Sequence, residues 1–255
     1  MSSMQTAERV SHTDLSDNYI FQRSLLAYVE AAKMVHGDVL ELGTGSGYGI
    51  EHIAPNADRF VTVDKFPSSI DFSLYPNVEF HQLTLPSLDA FEDNSFDFVI
   101  SFQVIEHIED DEAFVREAAR VLKPGGTFIV TTPNKEMSIT RNPWHIREYT
   151  IQELKDLFGK YFETVNAKGV FGNEKIMAYY ENNKASVERI TRFDVFDLQH
   201  KLPRQILQIP YDILNRMNRK KLLKADNSLV QSIKMEDYSI REAEDGCFDL
   251  FYYVM

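Results

Sequence analysis

Three glycines, the acid that precedes them and two histidines downstream are the residues whose types and spacing could do chemistry. Glu41, Gly43, Gly45 and Gly47 follow the apolar β-type run Val39-Leu40-Glu41-Leu42 and lead into a helix-like start, Tyr48 to Ala54. A strand that meets a helix through such a turn leaves backbone N–H groups at the strand's carboxyl end, and glycine lets a ligand come close to the main chain. The spacing excludes the dinucleotide fingerprint G-x-G-x-x-G: its third place falls on Tyr48 counted from Gly43, and on Ile50 counted from Gly45. What remains is Glu-x-Gly-x-Gly-x-Gly, a cradle for another ligand or a plain structural turn. The second group is Glu106-His107, with His145 in Asn142-Pro-Trp-His-Ile-Arg-Glu-Tyr-Thr150. An imidazole exchanges a proton near neutral pH, its unperturbed pKa being about 6.5.

The surrounding pattern supplies elements to hold these groups. Residues 1–16 are polar and expected to be loosely ordered. An amphipathic helix is expected from Asp17 to about Val35, ended by His36-Gly37-Asp38. Arg59–Asp64 reads as a second strand, whose terminal acid lies roughly twenty residues past the first glycine, the distance at which such an acid accepts ribose hydroxyls. Asn77–Gln82 and Ser95–Ser101 read as the third and fourth strands. A helix over Glu112–Leu122 follows, with Glu112 and Arg116 spaced as an i,i+4 pair. Lys123-Pro-Gly-Gly126 stops it, and Thr127–Thr132 is the fifth strand. Apolar strands alternating with helices call for a parallel sheet covered on both faces.

Thr150–Lys160 reads as a further helix and Phe162–Gly169 as a strand whose antiparallel partner is the terminal Phe248–Met255. Residues 174–245 become a helical insertion in that last hairpin, giving one domain over 1–255 with a core of 17–173 and a last core strand in 246–255. Arg216, Arg219, Lys220, Lys221 and Lys224 form a basic cluster in the insertion, read first as a solvated helix end and second as a surface for an anionic substrate or partner.

Composition narrows the classes. A chain of 255 residues buries a full core. Its net charge of −12 argues against nonspecific nucleic-acid binding, so nucleic acid is not the expected partner. The single cysteine, Cys247, excludes an intramolecular disulfide framework and suits a reducing cytosol. No secretory signal and no membrane-spanning run is expected, and the localisation expected is cytoplasmic.

Phe96-Asp-x-Val, Ile105-Glu-His-Ile, Arg120-Val-Leu-Lys-Pro-Gly-Gly126 and Thr132-Pro-Asn134 follow the glycine motif in order. Together they resemble class I S-adenosylmethionine (AdoMet) methyltransferases, the broad group that includes ubiquinone-biosynthesis O-methyltransferases and sugar methyltransferases, over residues 17–170. The resemblance implies an α/β, Rossmann-like, doubly wound, mostly parallel sheet with a C-terminal antiparallel hairpin strand, and AdoMet as cofactor. It implies that Glu41, Gly43, Gly45 and Gly47 wrap the amino-acid end of AdoMet and that Asp64 binds the ribose. Gln82 or Thr84 stands where the family has an acid for the adenine, with Asp89 and Glu92 as nearby alternatives. Tyr19, Gln22 and Arg23 become candidates for the AdoMet carboxylate, and Lys65, Leu83 and Phe102 complete the cofactor set.

Methyl transfer from a sulfonium is an in-line displacement, so the protein positions the acceptor and takes its proton. His107 is the expected base or orienting group, with Glu106 and His145 beside it, on a small-molecule or glycan-type acceptor. Small-RNA 3′-terminal 2′-O-methyltransferases carry Glu-x-x-Glu-His and a further histidine as divalent-metal ligands. The matching positions are Gln103, Glu106, His107 and His145, where Gln103 replaces a carboxylate, and no metal is expected. The rivals are that metal-assisted RNA 2′-O-methyltransferase and a protein that binds AdoMet without turning it over.

Overall fold

A computed structural model describes residues 10, 13–192, 194 and 197–255. The loosely ordered start expected at 1–16 lies largely outside them. Strands β1 (Asp38–Leu42), β2 (Arg59–Asp64), β3 (Val78–Gln82), β4 (Phe96–Phe102) and β5 (Leu122–Pro133) are parallel. β6 (Val165–Gly172), β7 (Tyr238–Glu242) and β8 (Asp249–Val254) join them in one eight-stranded sheet ordered β3-β2-β1-β4-β5-β8-β6-β7. β8 lies antiparallel between β5 and β6. The Rossmann-like, mostly parallel sheet with an antiparallel end is therefore as expected. Order reverses between β1 and β4, which opens a crevice at the strands' carboxyl ends.

Each strand sends alternate side chains to opposite faces. Val39, Phe60, Phe98, Ile100 and Ile129 pack on one side, against α1 (Asn18–Ala32) and α2 (Ile50–Ile53). Leu40, Leu42, Val61, Val63, Val99, Phe128 and Val130 pack on the other, against Phe114, Val115 and Ala118 of α3 (Asp111–Val121) and Leu154 and Phe158 of α4 (Ile151–Phe158). Burying such a side chain fully is worth about 1.5–3 kcal/mol each. The helices start where side chains cap them. Asp110 accepts from the Ala113 N–H at 2.9 Å, and Thr150 with Glu153 forms a reciprocal capping box.

Several expectations are corrected. α2 has one turn, because Pro55 turns the chain into a short 3-10 segment. The Lys123–Gly126 stop lies within β5, whose register against β4 jumps between Phe96 and Phe98. Glu112 bonds Lys160 across to the end of α4, where Arg116 had been expected as its partner. Residues 174–245 are not wholly helical: α5 (Glu174–Thr191), α6 (Leu198–Lys201), α7 (Arg204–Ala225) and α8 (Asn227–Ser232) are followed by β7, the sheet's outer strand beside β6. In the basic cluster, Arg216 and Arg219 are not solvated. They hold the buried carboxylate of Asp17 at 2.7 and 2.8 Å and fasten α7 to the start of α1.

Candidate active site

The glycine loop, the ends of β2 to β5 and helices α1, α5 and α7 enclose one cleft of about 1630 Å³. At its floor, Gly43 adopts φ +103°, and a Cβ there would stand 2.5 Å from Val104 Cγ2. Gly43 therefore lets the loop lie against the turn after β4. That turn is itself bent by Gln103, in the left-handed region at φ 58°, a conformation uncommon for a residue with a Cβ. Gly45, at φ +56°, has nothing within 4 Å of where its Cβ would be, and this open side faces the cleft.

Beneath the loop a buried polar chain fixes its position. Tyr28 Oη donates to Glu41 Oε1 at 2.8 Å, Thr62 donates to Glu41 Oε2 at 2.5 Å, and the Thr44 hydroxyl meets that of Thr62 at 2.6 Å. Burial pushes the Glu41 carboxyl up to about 7, although the bonds from Thr62 and Tyr28 oppose the rise. Glu41 does not line the cleft, and neither do Gly47, Gln82 or Gln22. Gly47 packs on Ile70, Gln82 donates to the Lys65 carbonyl, and Gln22 donates to Asn18. Of the expected cofactor set, Gly43, Gly45, Asp64, Lys65, Leu83, Thr84, Phe102 and Arg23 do line it. Asp64 accepts from the Gly45 N–H at 3.0 Å and from the Phe66 N–H at 2.9 Å, closing the loop against the end of β2.

Arg23 stands at the cleft wall in ionic contact with Asp249 at 2.8 Å, without a well-aligned hydrogen bond from Nε. The rings of Tyr19 and Phe248 flank its guanidinium. Its first role is thus to clamp α1 to β8. Tyr19 also lines the cleft and stacks on Tyr179 of α5 with ring centroids 4.3 Å apart.

Glu106, His107 and His145 converge, each offering a ligand-type atom within 4.8 Å of the others'. Glu106 is buried and receives the Thr132 hydroxyl at 3.0 Å; burial raises its carboxyl while His107 and His145 lower it. Its carbonyl accepts the Ile146 N–H at 2.7 Å, which pins the His145 loop to the turn after β4. The His107 Nδ1 stands 3.1 Å from the Trp144 carbonyl. A carbonyl only accepts, so Nδ1 carries a proton, and whenever the ring is neutral the lone pair is on Nε2. By the same logic, His145 donates from Nδ1 to Glu148 at 2.6 Å, and its Nε2 accepts from the Asn142 amide at 2.8 Å.

Sequence reasoning missed Tyr28, which packs edge-on to Phe102 with centroids 4.7 Å apart and bonds Glu41. Only Gly49 hints at it in the sequence, and the structure gives the reason: a Cβ there would lie 1.9 Å from the Tyr28 ring. The insertion was expected to shape the acceptor pocket or a subunit contact, but no motif marked which residues do so. The far wall is formed by Tyr180, Asn183 and Val187 of α5 and Leu207, Tyr211 and Asn215 of α7.

A glycine loop after β1, an acid at the end of β2 and a sheet ordered in this way define a Rossmann-like fold with its ligand site at the strands' carboxyl ends. Comparison with known proteins agrees. Residues 40–130 match the family described as "Methyltransferase domain". A Mycolicibacterium smegmatis protein named "Probable S-adenosylmethionine-dependent methyltransferase" is 38% identical over 175 residues, covering 65% of this chain and 68% of its own. A ubiquinone biosynthesis O-methyltransferase of Xanthomonas oryzae is 30% identical over 117 residues, covering 43% of this chain and 49% of its own. The chain thus spans between about half and about two thirds of these relatives. A solved SAM-dependent methyltransferase of Thermotoga maritima shares the fold, with TM-score 0.53, 17% identity and coverage of 93% of this chain and 90% of that one. The chain belongs to the class I S-adenosylmethionine-dependent methyltransferases. It is an enzyme whose cofactor is AdoMet, which sets aside the reading of a protein that binds AdoMet without turning it over. The open side of Gly45 and the acid at the end of β2 fit that cofactor.

Proposed function

We propose that the chain methylates an oxygen, with nitrogen second, on a small-molecule or glycan-type acceptor, and that His107 takes the acceptor's proton. The observation that carries this is the His107 tautomer. With Nδ1–H given to the Trp144 carbonyl, the basic Nε2 belongs to a cleft that the glycine loop also lines. Bound AdoMet supplies an electrophilic methyl on its sulfonium. The chain's own residues bind and orient. Gly43 and Gly45 offer main chain to the amino-acid end, Asp64 accepts ribose hydroxyls, and Lys65, Leu83, Thr84 and Phe102 wall the adenine side. Glu41, Gly47 and Gln82 hold this machinery from behind, and Arg23 braces it from α1. Glu106 fixes the backbone under His107, and His145 orients the acceptor.

The cleft exceeds the roughly 300–1,000 Å³ usual for a single small ligand, which leaves room beyond the cofactor. Tyr180, Asn183, Gln208, Tyr211 and Asn215 line that far part, and aromatic planes with hydrogen-bonding amides suit a hydroxylated acceptor. The Xanthomonas oryzae O-methyltransferase supports oxygen as the target. The net charge of −12 supports an acceptor other than nucleic acid. Residues 1–255 act, in this reading, as a single cytoplasmic methyltransferase domain, α5 to α7 covering the acceptor. No helix among the described residues is long and apolar enough to cross a membrane.

The test is methyl release from AdoMet over a panel of phenols, sugars and amines, with AdoMet affinity measured by isothermal titration. Turnover confined to amines would sink the oxygen reading. His107→Ala should lower kcat by about a hundred- to ten-thousandfold with AdoMet affinity retained; full turnover in that variant removes the base. The convergence of Glu106, His107 and His145 favours a second reading, a metal-assisted 2′-O-methyltransferase. Both His145 nitrogens already have protein partners, which supports the metal-free reading. Loss of turnover on chelation, restored by Mg²⁺ or Mn²⁺, would reverse that preference.

A further inference from the structure

Steps of three, four and four residues return to one face of a helix. On α7 such steps align Ile206, Ile209, Ile213 and Met217, which are 59, 63, 54 and 62% exposed. None of the four lines the cleft, which takes the opposite side of the helix through Leu207, Tyr211 and Leu214. The same line continues into Lys220 and Lys224, both exposed, and Lys201 is exposed just before the helix begins. α7 carries six cationic side chains, Arg204, Arg216, Arg219, Lys220, Lys221 and Lys224, against one acid, Asp212, in a chain whose net charge is −12. Arg216 and Arg219 turn inward to Asp17 and Lys221 donates to Ser186, so Lys220 and Lys224 carry the outward charge.

We infer that the outer face of α7 docks on an anionic lipid bilayer. The apolar row spans eleven residue steps, about 16 Å along the axis. Lying flat, it enters the boundary between headgroups and acyl chains, while Lys220 and Lys224 reach lipid phosphates from its end. Charge complementarity selects this occupant. The acidic remainder of the chain is repelled by such a surface, whereas the α7 side combines a row of four exposed apolar side chains with outward positive charge. A second copy fits less well. Two α7 helices packed antiparallel about a two-fold axis would bring Lys220 and Lys224 toward the partner's Arg204 end, where the helix N-terminus adds its own partial positive charge. The bilayer would then lie across α7 from the acceptor part of the cleft.

Sedimentation with vesicles tests this, using phosphatidylcholine alone and phosphatidylcholine mixed with phosphatidylglycerol. The whole chain should sediment with the mixed vesicles and stay in solution with the neutral ones. Lys220→Ala with Lys224→Ala should weaken partitioning about thirtyfold, near fivefold for each lysine. Ile209→Ser with Ile213→Ser should weaken it by about tenfold or more. Unchanged AdoMet affinity certifies that a variant is folded, and Ile206→Ser with Met217→Ser replaces any pair that loses it. The inference is overturned if the chain ignores both vesicles, if it binds them regardless of these substitutions, or if the stripe variants only convert a dimer to a monomer. The readout is independent of methyl transfer, so its failure leaves the proposed activity standing.

Discussion

The indole Nε1 of Trp144 donates to Oδ1 of Asp212 at 3.0 Å. This bond joins the loop after β5 to the middle of α7, and the carbonyl of the same tryptophan orients His107. The helix that walls the acceptor side is thereby coupled to the proposed base. Asp212→Ala should cost about 1 kcal/mol of stability or more by releasing the Trp144 hydrogen bond. Its larger effect should fall on turnover, through a rise in acceptor KM and a drop in kcat at constant AdoMet affinity. Steady-state kinetics beside isothermal titration check this. A variant with the wild-type kinetic constants would show that His107 is held without α7.

How much of this was legible before the structure follows from which signals are local. β1, β2 and β4 are buried on both faces and read as continuous apolar runs, so they stood out. β7 has only Tyr238 and Ile240 turned toward the core and sits at an edge, which left five residues of weak alternation inside a helical stretch. The glycine motif was readable because its spacing is a local property of a turn. Tyr28 was not, since its bond to Glu41 is set by how α1 packs on β1. Likewise the basic cluster looked solvated until Asp17, far away in the chain, was seen between Arg216 and Arg219.

Glu41 makes stability depend on pH. Its carboxyl rises from the ordinary 4.5 to about 7 in the folded chain, chiefly through burial. A carboxyl that holds its proton more tightly when folded favours folding while protonated. Stability therefore falls as pH rises from 4.5 through 7, by on the order of 3 kcal/mol. Glu41→Gln is neutral throughout and should flatten this slope, leaving the variant at least as stable as wild type above about pH 7. Urea midpoints from about pH 5 to about pH 8 measure it. An unchanged slope in the variant would assign the pH dependence to other groups.

Gln103 holds a left-handed backbone at φ 58°, between the end of β4 and Glu106. Glycine meets that conformation without strain, whereas a β-branched side chain meets it badly. Gln103→Gly should stay within about 1 kcal/mol of wild type or exceed it, and Gln103→Val should lose about 1–2 kcal/mol, as read by thermal melting. Activity should fall more in the valine variant, because the turn sets where Glu106 and His107 begin. Equal melting of the two variants would mean that the chain relaxes out of the left-handed region there.

Gly45 and Gly47 separate folding from cofactor binding. Both have positive φ, +56° and +77°, so alanine at either position carries about 1–2 kcal/mol of backbone strain. A methyl on Gly47 meets the tip of the Ile70 side chain, away from the cleft. One on Gly45 meets no protein atom within 4 Å and occupies the space assigned to AdoMet. Gly45→Ala should therefore melt no lower than Gly47→Ala yet bind AdoMet at least tenfold more weakly, a difference of about 1.4 kcal/mol or more. Calorimetric titration of the two variants with AdoMet decides the matter. If Gly45→Ala binds as tightly as Gly47→Ala, the cofactor does not reach the loop's open side. Since the Asp64 carboxylate accepts the Gly45 N–H, the ribose contact would then have to be reassigned with it.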